Sequence, residues 1–166
     1  MVAKTLSTSS LKVRASRMDD LPDLVDFQIR MALETEDLQL ERPVVEKGAE
    51  AIFENPLLGH YVVCEDENEL VGCLLITYEW SEWRNGLILW VQSVYVVPEY
   101  RKKGVFKKLY QHIQNSSMAD ERIRGIRLYV DSKNLPAKSV YERLGMKSGH
   151  YEVFEWMKSF DTSGLN

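Results

Sequence analysis

Two kinds of hydrophobic spacing alternate along the chain. Apolar residues at every second position, or compact runs of β-branched and aromatic residues, are typical of strands, and apolar residues three or four positions apart are typical of helices. The strand pattern occurs at residues 11–16, 59–65, 70–80, 87–97, 125–131, 146–150 and 153–157. We expect the last two of these to form a closing antiparallel pair.

Helical spacing occurs in four stretches. They begin near residues 20, 43, 106 and 135, and the first, second and fourth end near residues 34, 55 and 144. Pro43 suits the first turn of its helix, and Pro56 stops that helix. Asn134 and Gly145 fit the two caps of the last helix.

The order of these elements predicts an α/β protein in which helices flank a mixed (α+β) sheet. Residues 87–97 and 125–131 are joined through the helix that begins near residue 106, so they should run parallel with a right-handed crossover. Residues 70–80 and 87–97 should form a hairpin, because Asn85-Gly86 is a turn pair in which both residues tolerate positive φ.

Composition limits the classes of function. The 166 residues are 45% hydrophobic, which is enough for the core of one domain, and the formal net charge is −4. This acidic balance argues against a general nucleic-acid binder and mildly favours a cationic substrate. Cys64 and Cys73 lie in strand patterns, so we expect both to be reduced and buried. Neither has zinc-site spacing with a histidine, so no metal is expected.

Polar segments flank the predicted domain. Residues 1–10 are rich in Ser and Thr, with Lys4 and no acid, which favours a flexible tail over a weak organellar leader. Residues 161–166 form a second tail, so one domain should span 11–160. No apolar run is long enough to span a membrane, and we expect a cytoplasmic protein.

A basic turn joins the strand at 87–97 to the next helix, with the sequence Arg101-Lys-Lys-Gly104-Val-Phe106. The first N–H groups of a helix lack internal partners and carry partial positive charge, so this segment predicts an anion site. It lacks the residues of a P-loop or a Rossmann fingerprint. It resembles the Arg/Gln-x-x-Gly-x-Gly/Ala pyrophosphate loop of the GNAT superfamily of N-acetyltransferases, although Phe106 stands where that family usually has Gly or Ala.

A second stretch resembles the same family's signature Asn-x-x-Ala-x-x-x-Tyr-x-x-x-Gly-Phe. Asn134, Ala137, Tyr141 and Gly145 match it, and Met146 replaces the aromatic residue. Two motifs in this order, separated by one helix and one strand, are much more specific than either alone. The resemblance extends over residues 11–157.

The resemblance implies a GNAT fold, in which a central parallel strand pair, here 87–97 and 125–131, splays apart and admits the pantetheine arm of acetyl-CoA. Acetyl-CoA (coenzyme A) is therefore the expected cofactor. Its expected contacts are Val94, Tyr95, Val96, Arg101, Lys102, Lys103, Gly104, Val105, Phe106, Lys107, Asn134 and Tyr141. Tyr141 would also be the general acid for the CoA thiolate; spacing alone would make it a core tyrosine.

The acceptor site is predicted less directly. Glu79, Trp80, Glu82 and Trp83 share one hairpin loop, where they could bind an ammonium through charge and cation–π contact. Equally, the tryptophans could cover the sheet edge while the acids face water. Glu34 follows the first helix, in the segment that borders the acceptor site in the resembling family.

The catalytic base is the second open question. An alkyl amine must lose a proton before it attacks a thioester. Many family members carry a glutamate on the strand before the pyrophosphate loop, but by register from Pro98 that position falls at or near Trp90. Glu79 or Glu82, acting through water, is the hypothesis that remains.

We therefore predict an N-acetyltransferase that moves the acetyl group of acetyl-CoA to a primary amine of a small molecule or peptide, by direct attack in a ternary complex. No nucleic-acid or membrane partner is expected, and a homodimer is left open. The alternative is a non-catalytic acyl-CoA-binding or regulatory module, which Phe106 and the missing strand glutamate favour and which Asn134 and Tyr141 oppose. A nucleic-acid module using residues 101–108 and 122–127 conflicts with the net charge.

Overall fold

The computed structural model describes residues 10–149, 152–156 and 158, and within them the chain forms five strands and four helices. The strands are β1 (Lys12–Ala15), β2 (His60–Asp66), β3 (Glu69–Ser81), β4 (Gly86–Val96) and β5 (Ile123–Arg127). The helices are α1 (Leu21–Glu36), α2 (Arg42–Glu54), α3 (Val105–Ala119) and α4 (Leu135–Arg143). Short 3₁₀ turns at Met18–Asp20 and Pro98–Tyr100 precede α1 and the basic turn.

The five strands form one mixed sheet in the order β1-β2-β3-β4-β5. Neighbours pair antiparallel except β4 and β5, which are parallel and are connected through α3. The predicted α/β class, mixed sheet and parallel strand pair are therefore confirmed, and among the described strands this pair lies at one end of the sheet.

Helices cover both faces of this sheet. On one face Leu74 and Ile76 pack with Leu109 of α3 in a buried cluster. On the other face Val63 and Cys73 pack with Leu24 of α1 in a second cluster, to which α2 contributes. The split follows from strand geometry, because successive side chains of a strand point to opposite faces.

Two segments differ from the sequence expectation. β5 begins at Ile123 and ends at Arg127, whereas strand was expected over 125–131. It starts early because the turn before it is fixed by Asp120, whose carbonyl accepts from the Ile123 N–H, and because the Leu87 N–H donates to the Arg122 carbonyl. The expected closing pair is also wrong in the part that the structure describes, since residues 146–149 and 152–156 form no strand; His150, Tyr151 and Met157 lie outside the described residues.

The chain divides into two compact units, Met1–Tyr129 and Val130–Asn166. The first holds the sheet with α1, α2 and α3. The described part of the second contains α4, whose start is capped by the Asn134 side chain as expected. None of the described helices has the length and apolar character needed to cross a bilayer.

Candidate active site

β4 separates from β5 halfway along its length. The parallel pairing begins at Leu87 and ends where Trp90 meets Arg127, although β4 continues to Val96. Beyond that point Ser93, with φ of 50°, and Val94 lie opposite one residue of β3, so β4 carries a bulge. A bulge bends its strand and increases the local twist. Within the part of the chain that the structure describes, one edge of the last residues of β4 is consequently left without a strand partner.

The backbone of Val96 faces this unpaired edge. Val96 lies opposite Gly72 of β3, and the Val97 N–H donates to the Val71 carbonyl over 3.1 Å. In an antiparallel ladder this pattern marks Val96 and Gly72 as a non-hydrogen-bonded pair, so the N–H and C=O of Val96 point away from β3. These are polar groups of the kind expected to meet the pantetheine amides. Val94, the other residue expected to do so, also pairs with none of the described strand residues.

The basic turn leads directly into α3. Gly104 is the N-cap residue with φ of 84°, a left-handed conformation that glycine adopts readily, and a Cβ there would meet no atom within 4 Å. The first ladder bond of α3 runs from the Lys108 N–H to the Gly104 carbonyl at 3.0 Å. The N–H groups of Val105, Phe106 and Lys107 therefore precede the α-helical ladder, at the helix start where the sequence predicts an anion site.

The side chains around this helix start take different directions. Val105 is buried, whereas Phe106 is half-buried and stacks on Tyr110 with ring centroids 6.1 Å apart. Lys102 and Lys107 are exposed. Lys103 places its ammonium 5.2 Å from the ring centroid of Tyr100. The bulky Phe106 side chain thus packs along α3, and its backbone N–H remains part of the helix start.

Arg101 does not extend from the loop into solvent. Its Nε donates to the Val96 carbonyl over 2.9 Å, and one terminal nitrogen donates to Glu34 over 2.5 Å. The guanidinium carbon lies 5.7 Å from the centre of the Tyr95 ring, and the Tyr95 hydroxyl donates to the other Glu34 oxygen over 3.2 Å. Burial, followed by the nearby Glu34 carboxylate, raises the pKa of Tyr95. The hydrogen bond between Arg101 and Glu34 therefore joins a residue expected to bind the cofactor to one expected to border the acceptor.

A row of polar side chains crosses the sheet face that carries α1 and α2. The Trp90 indole N–H donates to Glu79 over 2.5 Å, and Arg127 donates to both Glu79 oxygens over 2.7 and 3.0 Å. Beside them the Gln92 amide donates to the Thr77 hydroxyl over 2.5 Å. Sequence reasoning assigned Arg127 only to a basic segment. Its place opposite Trp90 depends on the β4–β5 register, which no local signal reveals.

The hairpin residues do not gather into one pocket. Glu79 and Trp80 are successive strand residues, so their side chains leave opposite faces of the sheet. Trp80 and Trp83 are 59% and 84% exposed, and Glu82 is exposed in the turn. The indole beside Glu79 is therefore that of Trp90, and the structure separates Glu79 from the other three candidate residues of this loop.

The candidate residues of the second unit lie on α4 and at its start. The Asn134 side chain accepts from the Ala137 N–H over 3.1 Å, which satisfies one of the free donors of the helix. Tyr141 is half-buried, and this burial raises the pKa of its hydroxyl. A phenol with a raised pKa stays protonated over a wider pH range, as a proton donor requires. Among the described residues, no group of three or more His, Cys, Asp or Glu side chains is arranged to hold a metal ion.

The chain is similar to several known proteins. The chain is 41% identical to a possible acetyltransferase from Clostridium difficile 630, whose crystal structure superposes with a TM-score of 0.83 over 90% of this chain and 99% of that one. It is 27% identical, over 147 residues, to the thialysine N-epsilon-acetyltransferase of Mus musculus, covering 82% of this chain and 84% of that protein.

A more distant structure shares the fold. It is a predicted acetyltransferase from Clostridium acetobutylicum, solved with acetyl-CoA, which is 17% identical with a TM-score of 0.67 over 90% of this chain and 96% of that one. The model of the acetyltransferase (GNAT) family matches residues 25–146, which include both motifs up to Met146. With that match over most of its length, this chain belongs to the acetyltransferase (GNAT) family.

Proposed function

We propose that this protein transfers the acetyl group of acetyl-CoA to a primary amine, by direct attack in a ternary complex. One observation carries the proposal: the edge of β4 at Val96 that faces away from β3 is followed, nine residues later, by the N-terminal end of α3, which begins at Val105. An amide-bearing chain that ends in a pyrophosphate needs both features in this order. Acetyl-CoA is such a molecule, and the family assignment supports it as the donor.

The cofactor would bind through backbone groups for most of its length. Residues 94–96 would take the pantetheine amides, and residues 101–107 would take the pyrophosphate on N–H groups with lysine charges nearby. Asn134, which matches the second family motif, would also contact the cofactor. The burial of Val105 and the left-handed Gly104 support a fixed loop geometry, which lowers the entropy cost of binding.

Glu79 is the residue best suited to receive the proton of the acceptor amine. The carboxylate accepts one hydrogen bond from Trp90 and two from Arg127. A carboxylate has about four lone-pair sites, so there is capacity for a further donor, either a water or an ammonium. Glu82 lies exposed in the hairpin turn, which makes it the weaker candidate.

The reaction would then proceed in two steps. The ammonium gives a proton through water to Glu79, and the amine nitrogen attacks the thioester carbon to form a C–N bond and a tetrahedral oxyanion. The oxyanion collapses, the C–S bond breaks, and the sulfur takes a proton from the Tyr141 hydroxyl. The nitrogen gives its second proton through water to the resulting phenolate, which restores the hydroxyl, and Glu79 releases the first proton to solvent. The mouse relative is a thialysine N-epsilon-acetyltransferase, which supports an alkyl amine as acceptor.

Purified protein incubated with acetyl-CoA and a panel of polyamines, amino acids, aminoglycosides and peptides tests this proposal. We expect amine-dependent release of CoA thiol together with one acetylated product. That product should be about 42 Da heavier than its acceptor, because an acetyl group replaces one hydrogen. Binding of acetyl-CoA without release for any amine would instead identify the non-catalytic acyl-CoA-binding module.

A further inference from the structure

Arg101 occupies the place that the cofactor needs on β4. The Val96 carbonyl points toward the unpaired edge of the strand, and Arg101 Nε already donates to it over 2.9 Å. Under the proposed function, this edge is where a pantetheine amide would bind. A carbonyl can accept two hydrogen bonds, and the guanidinium takes one of the two sites on this carbonyl. A pantetheine amide that approaches the same oxygen therefore meets the Arg101 side chain.

Glu34 holds Arg101 there from the far side. The bond between them is 2.5 Å long, and the two side chains are 39% and 44% exposed for Glu34 and Arg101. The Tyr95 hydroxyl orients the same carboxylate through its second oxygen at 3.2 Å, while the Tyr95 ring lies beneath the guanidinium. The arginine is therefore fixed by three different groups, none of them in its own loop.

The end of α1 explains why Glu34 attracts this arginine. Glu34 lies in the last turn of α1, where no basic residue is present and the carbonyl ends of the helix already carry partial negative charge. The helix then closes at Asp37 with φ of 52°, and the Asp37 N–H donates to the Ala32 carbonyl, which fixes this turn. A carboxylate at this position is unfavourable unless a cation compensates it, and Arg101 does so.

We propose that the Glu34 carboxylate competes with the pyrophosphate of acetyl-CoA for Arg101. Glu34 holds the Arg101 guanidinium at the edge of β4 that would bind pantetheine. When acetyl-CoA binds, it displaces the guanidinium from that edge, and the pyrophosphate replaces Glu34 as the anion beside Arg101. This inference rests on the proposed function. It assigns Glu34 to control of cofactor binding, whereas the sequence suggested contact with the acceptor. Removal of the Glu34 charge should free Arg101 and strengthen acetyl-CoA binding.

Glu34→Gln and Glu99→Gln form a matched pair for the test. Glu99 is an exposed acid two residues before Arg101. Its substitution controls for the increase in affinity for an anionic ligand that follows the loss of any nearby negative charge. By calorimetric titration with acetyl-CoA, we expect Glu34→Gln to bind about 3- to 10-fold more tightly than Glu99→Gln, the scale of a half-exposed ion pair. Tyr95→Phe, which removes the orienting hydroxyl, should show a smaller gain.

The Arg101→Ala background completes the experiment. There, Glu34→Gln should give no gain beyond that of Glu99→Gln, because the side chain that Glu34 holds is gone. Equal affinities of Glu34→Gln and Glu99→Gln in the wild-type background, or weaker binding by Glu34→Gln, would overturn the inference while leaving the proposed function intact. Absence of acetyl-CoA binding by the folded wild-type protein would overturn both.

Discussion

The indole N–H of Trp90 donates a hydrogen bond to the Glu79 carboxylate over 2.5 Å. By register from Pro98, Trp90 lies at or near the position where a glutamate was expected from the family resemblance. Glu79, on the neighbouring strand β3, directs its carboxylate to that indole, and Arg127, which reaches across β4 from β5, donates to both of its oxygens. A carboxylate is thus supplied to this part of the sheet from a different strand.

Glu79→Gln tests whether that carboxylate receives the proton of the amine. The amide keeps the shape and some of the hydrogen bonds, but it is not a base. We expect the acetyl-transfer rate at pH 7 to fall by roughly 10²-fold, with a smaller deficit at pH 9 where more of the amine is already neutral. Steady-state rates with the best acceptor at both pH values provide the measurement.

Glu82→Gln is the matched comparison, since Glu82 is an exposed acid in the same hairpin. We expect it to change the rate by less than about threefold, as for an exposed surface charge. If the two variants lost equal activity, or if Glu79→Gln kept the wild-type rate and pH profile, the role of Glu79 would be excluded.

Much of the fold can be predicted from the local sequence pattern, but only part of the candidate site can. The caps at Asn134 and the turn at Gly104 are determined by nearby residues, and both were expected from the sequence. The contacts Glu79–Trp90–Arg127 join residues from three strands, so they depend on two registers. The β3–β4 register is constant from Ser81–Gly86 to Leu75–Gln92, and the β4–β5 register shifts between Leu87 and Ile88. That shift leaves no recognisable signal in the alternation of β4.

Tyr141→Phe tests the proton donor. The ring remains, so packing and acetyl-CoA affinity should be nearly unchanged. We expect the chemical step to slow by roughly ten- to a thousand-fold, and by less with an acyl donor whose thiol is more acidic, because that thiolate needs less protonation. Single-turnover rates with both donors measure this, and wild-type rates with both would show that Tyr141 is only a packing residue.

The two cysteines should resist alkylation in the folded protein. Burial raises the pKa of Cys64 to about 11 and that of Cys73 to about 12, and neither forms a disulfide. Because the thiolate is the reactive form, we expect no labelling by iodoacetamide at pH 8, and two labels per chain after unfolding in urea. Rapid labelling of Cys73 in the folded protein would contradict its placement under the bulge at Ser93.

Asp20 should contribute stability that disappears in acid. Arg14 donates two hydrogen bonds to this buried carboxylate, over 2.7 and 2.9 Å, and holds its pKa below the usual 3.8. A lowered folded pKa gives stability that is present above the unfolded value and is lost as the pH falls through the folded one. Asp20→Asn should therefore cost about 1–3 kcal/mol at pH 7 and less at pH 3.

Urea unfolding at the two pH values measures this cost, with the exposed neighbour Asp19→Asn as the control. The control should lie within about 0.5 kcal/mol of wild type at both. A cost for Asp20→Asn that did not decrease in acid would show that the ion pair with Arg14 is not its source.

The central claim, that the turn before α3 binds the pyrophosphate of acetyl-CoA, is tested most directly by titration calorimetry of Gly104→Asp against Gly104→Asn. Both side chains tolerate left-handed backbone and have open space at this position, so the two variants differ only in charge. At about 5 Å and an effective dielectric constant of about 20, one added charge costs about 3 kcal/mol. We predict binding by wild type, modestly weaker binding by Gly104→Asn, and a further loss of about a hundredfold in Gly104→Asp, with equal thermal stability of the two variants. Equal acetyl-CoA affinity in the Asp and Asn variants would contradict the account.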